Sequence, residues 1–396
     1  MRRIAIALGS LWAVQARAQD LTWEKLREVV LAHPGLAHER ALVEERRGEG
    51  KWAGQAPVLR AELELENFAG TGGSAGLGGS NVGIWAGGDY RLGAVRVREK
   101  ELAAAELSLQ EVEPSKRRLE LLWSARGTWE AWQEQCWRAD LLDSLAAQAL
   151  AVAEPLEAGR KVGRIAPWEV SLVQAEAAQW RNVAQAHRRK GRVLWGRLES
   201  WGISAIQPLG AGLPVLDSMT KGTAQSLDSL TLERERYRMQ VQESLLAAQD
   251  RPVLSGAIGL LRDQASGDVG FGARVALPLP PWKRTGLETV RMRHQAVAME
   301  RRIALETRER ALRLQGLREE MSAGSAELRT WEDEVIPRQE LALAQVNRAQ
   351  QTGAMDAAAV WTMRKALGEA RIERLEKLIR VRELQRENRK LEGVEP

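Results

Sequence analysis

The stretch that most constrains this chain lies between residues 56 and 93, where two alternating runs interrupt a sequence that otherwise reads almost entirely as helix. From Pro57 the sequence is PVLRAELELENF. Leu59, Ala61, Leu63 and Leu65 fall to one side, and Arg60, Glu62, Glu64 and Glu66 to the other. That is the period-two pattern of a strand with one apolar and one wet face. Glycine-rich GTGGSAGLGGS follows, and then a second run with Val82, Ile84, Ala86, Tyr90 and Leu92 opposite Trp85, Asp89 and Arg91. Each run is about ten residues, near the ~9–11 that a tilted strand needs to cross a bilayer. Charge on one face only suits a strand between lipid and a water-filled lumen. A solvent-facing hairpin packed on helices would show the same alternation.

The rest of the chain bears on that choice. Residues 1–18 have the form of a secretory signal: Arg2 and Arg3, a short apolar core from Ile4 to Val14, and Ala16-Arg17-Ala18 as a cleavage site. No cysteine stands at that point to carry a lipid, and no other stretch approaches eighteen apolar residues. Residues 22–52 read as helix broken at His33-Pro34. From about Val95 to Gly159 a single long helix is expected, with Leu122, Ala125, Trp129, Trp132, Cys136 and Ala139 as its seam at alternating spacings of three and four. A turn near Gly159–Gly163 leads to a helix from Pro167 to Glu199. Residues 200–222, rich in glycine and proline, form a connection.

The plan then repeats. A helix over about 226–249 precedes a third strand, VLSGAIGLL, and a fourth, VGFGARVALPL. The fourth has Val269, Phe271, Ala273, Val275, Leu277 and Leu279 on one face, and Gly270, Gly272, Arg274 and Ala276 on the other. A second long helix is expected from Arg284 to Gln351, its seam Leu314, Leu317, Met321, Gly324, Leu328, Trp331 and Val335. A turn at Gly353 leads to a last helix ending near Leu391. The chain thus divides into a signal peptide (1–18), a first helix-hairpin-helix repeat with its linker (19–222) and a second repeat (223–396). The fold class is mainly α with a small β part: coiled-coil helical hairpins plus two β-hairpins.

Composition narrows function. Charged residues are 28% and hydrophobic residues 44%, which fits neither a disordered chain nor a helical membrane protein. The net charge of +5 is spread through helices without a basic tail, so nucleic acid is not an expected partner. One cysteine, Cys136, lies on the first seam and reads as packing. His33, His38, His187 and His294 are too scattered for a metal site, and GGSAGLGGS precedes a strand instead of a helix, unlike a phosphate loop. No catalysis, cofactor or metal is expected. Four membrane strands cannot close a pore, and open edges would leave backbone groups unpaired in hydrocarbon at several kcal/mol each. Membrane hairpins therefore require a ring of copies.

The two-fold repeat, the paired hairpins and the long helices resemble the TolC-like outer-membrane efflux family. The words that carry the resemblance are LTWEKLREVVLAHPGLAHERA, LELENFAG, VALPLPPWKRTGLE, VIPRQELAL and the two tip segments around Gly163 and Gly353. LELENFAG is similar to the heavy-metal branch, the CzcC and CusC type. The resemblance implies a homotrimer with a twelve-stranded barrel in the outer membrane of a Gram-negative bacterium and a twelve-helix tunnel in the periplasm. It would be a passive exit duct, heavy-metal cations among the substrates, supplied by an inner-membrane pump of the RND type through a periplasmic adaptor. Carried over, the adaptor-docking tips are Gly163, Arg164, Ile165 and Pro167, and Gly353, Ala354, Met355 and Asp356. The lumen-facing residues are Arg60, Glu62, Glu64, Glu66, Asp89, Arg91 and Arg274. Asp356 is the gate candidate, against the alternative of a solvated aspartate at a helix start. The sequence departs from the family at NRAQQTG before the second tip and at GDYRLGAVRVREKE after the second strand. The alternatives are the outer-membrane duct of a type I protein secretion system and a periplasmic coiled-coil scaffold with soluble hairpins.

Overall fold

The computed structural model describes residues 22–55, 59–66, 81–91, 94–203, 227–249, 253–263, 266–277, 286–352 and 355–396. The signal peptide, the glycine-rich segment after β1 and most of the 200–222 connection lie outside them. In chain order the elements are α1 (Trp23–Leu31), α2 (Pro34–Trp52), β1 (Arg60–Glu66), β2 (Asn81–Arg91), α3 (Val95–Gln110), α4 (Glu113–Lys161), α5 (Pro167–Glu199), α6 (Leu227–Gln249), β3 (Val253–Asp263), β4 (Val269–Ala276), α7 (Gly286–Thr330), a π-turn (Trp331–Val335), α8 (Ile336–Gln351) and α9 (Ala357–Glu392). The mainly helical class with a small β part is what the alternation and the two seams predict.

Two expected long helices are divided, and proline is the reason in each case. The helix expected over 95–159 breaks at Glu111-Val112 into α3 and α4. Pro114 has no N–H, and its ring would clash with the carbonyl four residues back, so it is accommodated in the first turn of a new helix. The junction tightens, with Val112 N donating to Leu109 O at 3.2 Å. The helix expected over 284–351 is interrupted by the π-turn, where Ile336 N reaches back five residues to Trp331 O. Pro337 cannot donate, and the ladder widens one turn before it.

Contacts divide the chain into two compact units that cut across the sequence repeat. One comprises residues 1–36, 116–226 and 308–396, the other 37–115 and 227–307. The first is helical and built on α4. Leu26, Val30, Leu122, Ala125, Trp132 and Leu198 form one core cluster; Val152, Leu156, Val170, Val173 and Trp361 are part of a second. The predicted seam is recognisable, with Leu122, Ala125, Trp132 and Ala139 buried and Trp129 and Cys136 half-buried. A further strip of α4 is buried too, where Trp137 packs with Leu328, Leu375, Leu378 and Ile379. At Gly368 on α9 a Cβ would come within 2.5 Å of Leu145 Cδ2, so the missing side chain permits this approach. Of the fifteen tryptophans, six pair across helices: Trp23–Trp129, Trp132–Trp195 and Trp180–Trp361, with ring centroids 6.2, 5.2 and 5.6 Å apart.

The second unit holds the sheet with α2, α3, α6 and the start of α7. The strands are antiparallel in the order β1-β2-β3-β4. β2 pairs with β3 from Asn81↔Asp263 to Arg91↔Val253, which joins the two expected hairpins into one sheet. β1 and β4 are its outer strands.

Candidate functional site: a two-faced sheet and two helix turns

The register sorts the sheet residues by face. One row crosses the sheet as Leu63, Ile84, Leu260 and Phe271, and the next as Ala61, Ala86, Ile258 and Ala273. With Leu65, Val82, Val269 and Val275 they make one face almost wholly apolar, Arg262 standing at its end. This face is bare: Phe271 is 92% exposed, and Leu63, Ile84 and Ile258 are 60% exposed or more. A patch of large side chains on this scale marks contact with another apolar phase or partner.

The opposite face carries the charge. Arg60, Glu62, Glu64 and Glu66 share it with Asp89 and Arg274, as the alternation predicts, and Arg91 ends β2 in register with Val253. Ser255 Oγ donates to Asp89 Oδ1 at 2.7 Å, and Arg60 lies 3.8 Å from the other Asp89 oxygen. Trp85, grouped with the charges by sequence, is 3% exposed. Its Nε1 donates to Glu64 Oε2 at 2.7 Å, and the Arg274 guanidinium lies 3.9 Å from the centroid of its ring and pairs with Glu64. The ring occupies space left by glycines. A Cβ at Gly259 would come within 2.7 Å of the indole, and one at Gly272 within 2.6 Å. Sequence reading places Gly272 on the face of Arg274 without its role and does not single out Gly259 or Ser255. The alternate glycines of VGFGARV, Gly270 and Gly272, share a face and are the signal that could have found one side of the cradle; Gly259 stands three residues after Gly256 and carries no such pattern.

The first tip is a glycine-terminated helix end. Gly163 has φ 74°, its N–H donates to Arg160 O at 3.0 Å, and Arg164 N donates to Gly159 O at 2.9 Å. Ile165 folds back so that a Cβ on Gly159 would meet it at 2.6 Å, and Pro167 opens α5. Arg164 is exposed, as are Val162 and Trp168 beside these residues. Of the second tip, Gly353 and Ala354 lie outside the described residues; Met355 and Asp356 are exposed. Asp356 is the N-cap of α9, its Oδ1 accepting from Ala359 N at 2.8 Å. That bond accounts for an aspartate here by helix capping.

Cys136, His33 and His187 take part in packing or local hydrogen bonds. Cys136 is half-buried, and burial pushes its thiol up to about 11. His33 Nδ1 accepts from Gly35 N at 3.1 Å, and His187 Nδ1 lies 2.8 Å from Gln135 Oε1. Among the described residues no cluster of histidine, cysteine, aspartate or glutamate could hold a metal, and no helix is long and apolar enough to cross a membrane.

No protein-family model matches the chain, and no curated protein matches it in sequence. Solved structures do match along nearly its whole length. The outer membrane protein VceC from Vibrio cholerae superposes with a TM-score of 0.73 at 18% identity, covering 96% of this chain and 97% of its own. The outer-membrane channel OprN gives 0.72 at 13%, covering 94% and 89%. CusC, described through its folding and transmembrane channel formation, gives 0.67 at 14%, covering 95% and 92%. The chain therefore shares the fold of these solved structures: long helices joined to a small antiparallel sheet.

Proposed function

We propose that this chain is the outer-membrane channel of a tripartite efflux system and works as a ring of three copies. The observation that carries this reading is the sheet. One face is apolar and bare, the other holds paired charges, and among the described residues the outer strands β1 and β4 each have a ladder on one side only. Buried in lipid, the apolar face loses its contact with water, and in a ring the edge of each copy meets the edge of the next. Three copies of a four-stranded sheet give twelve strands, within the range of outer-membrane barrels. The likeness to solved outer-membrane channels supports the same reading. The duct is passive: it supplies an aqueous path, and a pump with its adaptor supplies energy and substrate. Metal cations are a fitting cargo for the acidic strand β1. The α4–α5 and α8–α9 turns are the adaptor contacts in this reading.

Membrane fractionation followed by native mass of the detergent-extracted protein tests it. A trimer from the outer-membrane fraction is expected; a monomer soluble without detergent would overturn the reading in favour of a periplasmic scaffold.

A further inference from the structure

Trp85 is the buried large side chain on a sheet whose other face is bare, and it lies on the side that carries charge. Three strands hold it. Glu64 comes from β1, Trp85 from β2 and Arg274 from β4, while Gly259 on β3 lies beneath the ring. The indole is flat against the backbone because Gly259 and Gly272 have no side chains there, and the guanidinium is stacked on it. The Glu64 carboxylate accepts from both Trp85 and Arg274. An arginine held this way is a different electrostatic object from one standing free in water, because its charge is matched by a carboxylate at hydrogen-bond distance. Asp89 faces Arg60 more loosely, at 3.8 Å. β1 then offers to the water on this face the exposed carboxylates of Glu62 and Glu66, with the 67% exposed Arg60 at its end beside Asp89.

From this we infer that Trp85 is a positioning residue for charge selection in the duct. By stacking Arg274, still 44% exposed, against the wall beside Glu64, it keeps that guanidinium matched by a carboxylate and not extended into the bore, and the barrel passes cations in preference to anions. This deepens the duct reading and rests on it. The same stacking keeps the largest side chain of that face out of the bore.

The experiment is the reversal potential of the full-length protein in planar bilayers under a potassium chloride gradient. Wild type is expected to prefer potassium. Glu64→Gln should shift the potential toward chloride by leaving Arg274 uncompensated, and Arg274→Gln should shift it toward potassium. Trp85→Ala changes no formal charge, yet it should shift the potential in the same direction as Glu64→Gln. In Trp85→Ala combined with Arg274→Gln, that shift should vanish. A wild-type pore that prefers chloride overturns the inference, as does a Glu64→Gln pore with unchanged potential. So does a Trp85→Ala shift that survives removal of Arg274. A wild-type protein that forms no pore overturns the duct reading itself, whereas conducting pores of identical selectivity overturn only the role of this cluster.

Discussion

Trp361 on α9 donates its indole N–H to Glu176 Oε2 on α5 at 2.9 Å, and Lys365, one turn further along α9, pairs with the other oxygen of the same carboxylate. The Trp361 ring also meets Trp180 of α5, 5.6 Å between centroids. One carboxylate therefore serves two donors from a neighbouring helix. Glu176→Ala would leave the Trp361 N–H without its acceptor, at a cost of about 1–3 kcal/mol. Glu176→Gln keeps an acceptor and should cost less. Chemical denaturation of the two variants, followed by tryptophan fluorescence, measures the difference.

Glu134 gives the helical unit a pH dependence. Burial first, and repulsion from Glu383 second, push its carboxyl up to about 7, against the opposing pull of Arg386 and Arg138; Glu130 also repels it. A carboxyl whose folded value lies above its unfolded one favours folding when protonated. The penalty is absent below the unfolded value near 4.5 and fully present above about 7. Thermal melts should therefore show this contribution declining as pH rises from 5 to 8, and Glu134→Gln should flatten the dependence and raise the melting temperature most at pH 8.

Phe271 projects from the bare sheet face in one row with Leu63, Ile84 and Leu260. Phe271→Arg places a cation where the proposed function puts lipid, a cost of about 2–4 kcal/mol if the row lies near the midplane. Recovery of assembled protein from the outer-membrane fraction should drop. Gly270→Arg, one residue away on the opposite face, meets nothing within 4 Å and should be tolerated. Equal loss in both variants would mean the two faces do not differ in surroundings.

Asp356 separates capping from gating. Asp356→Asn retains a cap acceptor, whereas Asp356→Ala loses the bond to Ala359 N and should cost about 1 kcal/mol. Measured conductance decides the other role: if Asp356 acts only as a cap, Asp356→Asn leaves the single-channel current unchanged.

Residues related by local periodicity were legible from the sequence, and those that meet across the chain were not. Alternation alone assigned Leu63 and Glu64 to opposite faces, because successive side chains of a strand must point opposite ways. The spacing of Leu122, Ala125 and Trp132 found the first buried seam of α4 for the same kind of reason. Pro34, Pro114, Pro167 and Pro337 each mark a helix junction, through a missing donor that acts within one turn. Pro114 and Pro337 fall inside stretches that periodicity alone predicts as continuous helix. The second buried strip on α4 was invisible, since Trp137 is buried by Leu328, Leu375 and Ile379, far along the chain.

The sheet shows the same division. Local patterning suffices to place two strand pairs, the apolar face of each, and the repeated order of elements. The pairing of β2 with β3, and with it the cluster of Glu64, Trp85 and Arg274 over Gly259 and Gly272, follows only from the folded arrangement. Periodicity is enforced by covalent geometry within a few residues. The partner of Glu64 lies 210 residues away, and only backbone pairing across the β2–β3 seam brings the two together.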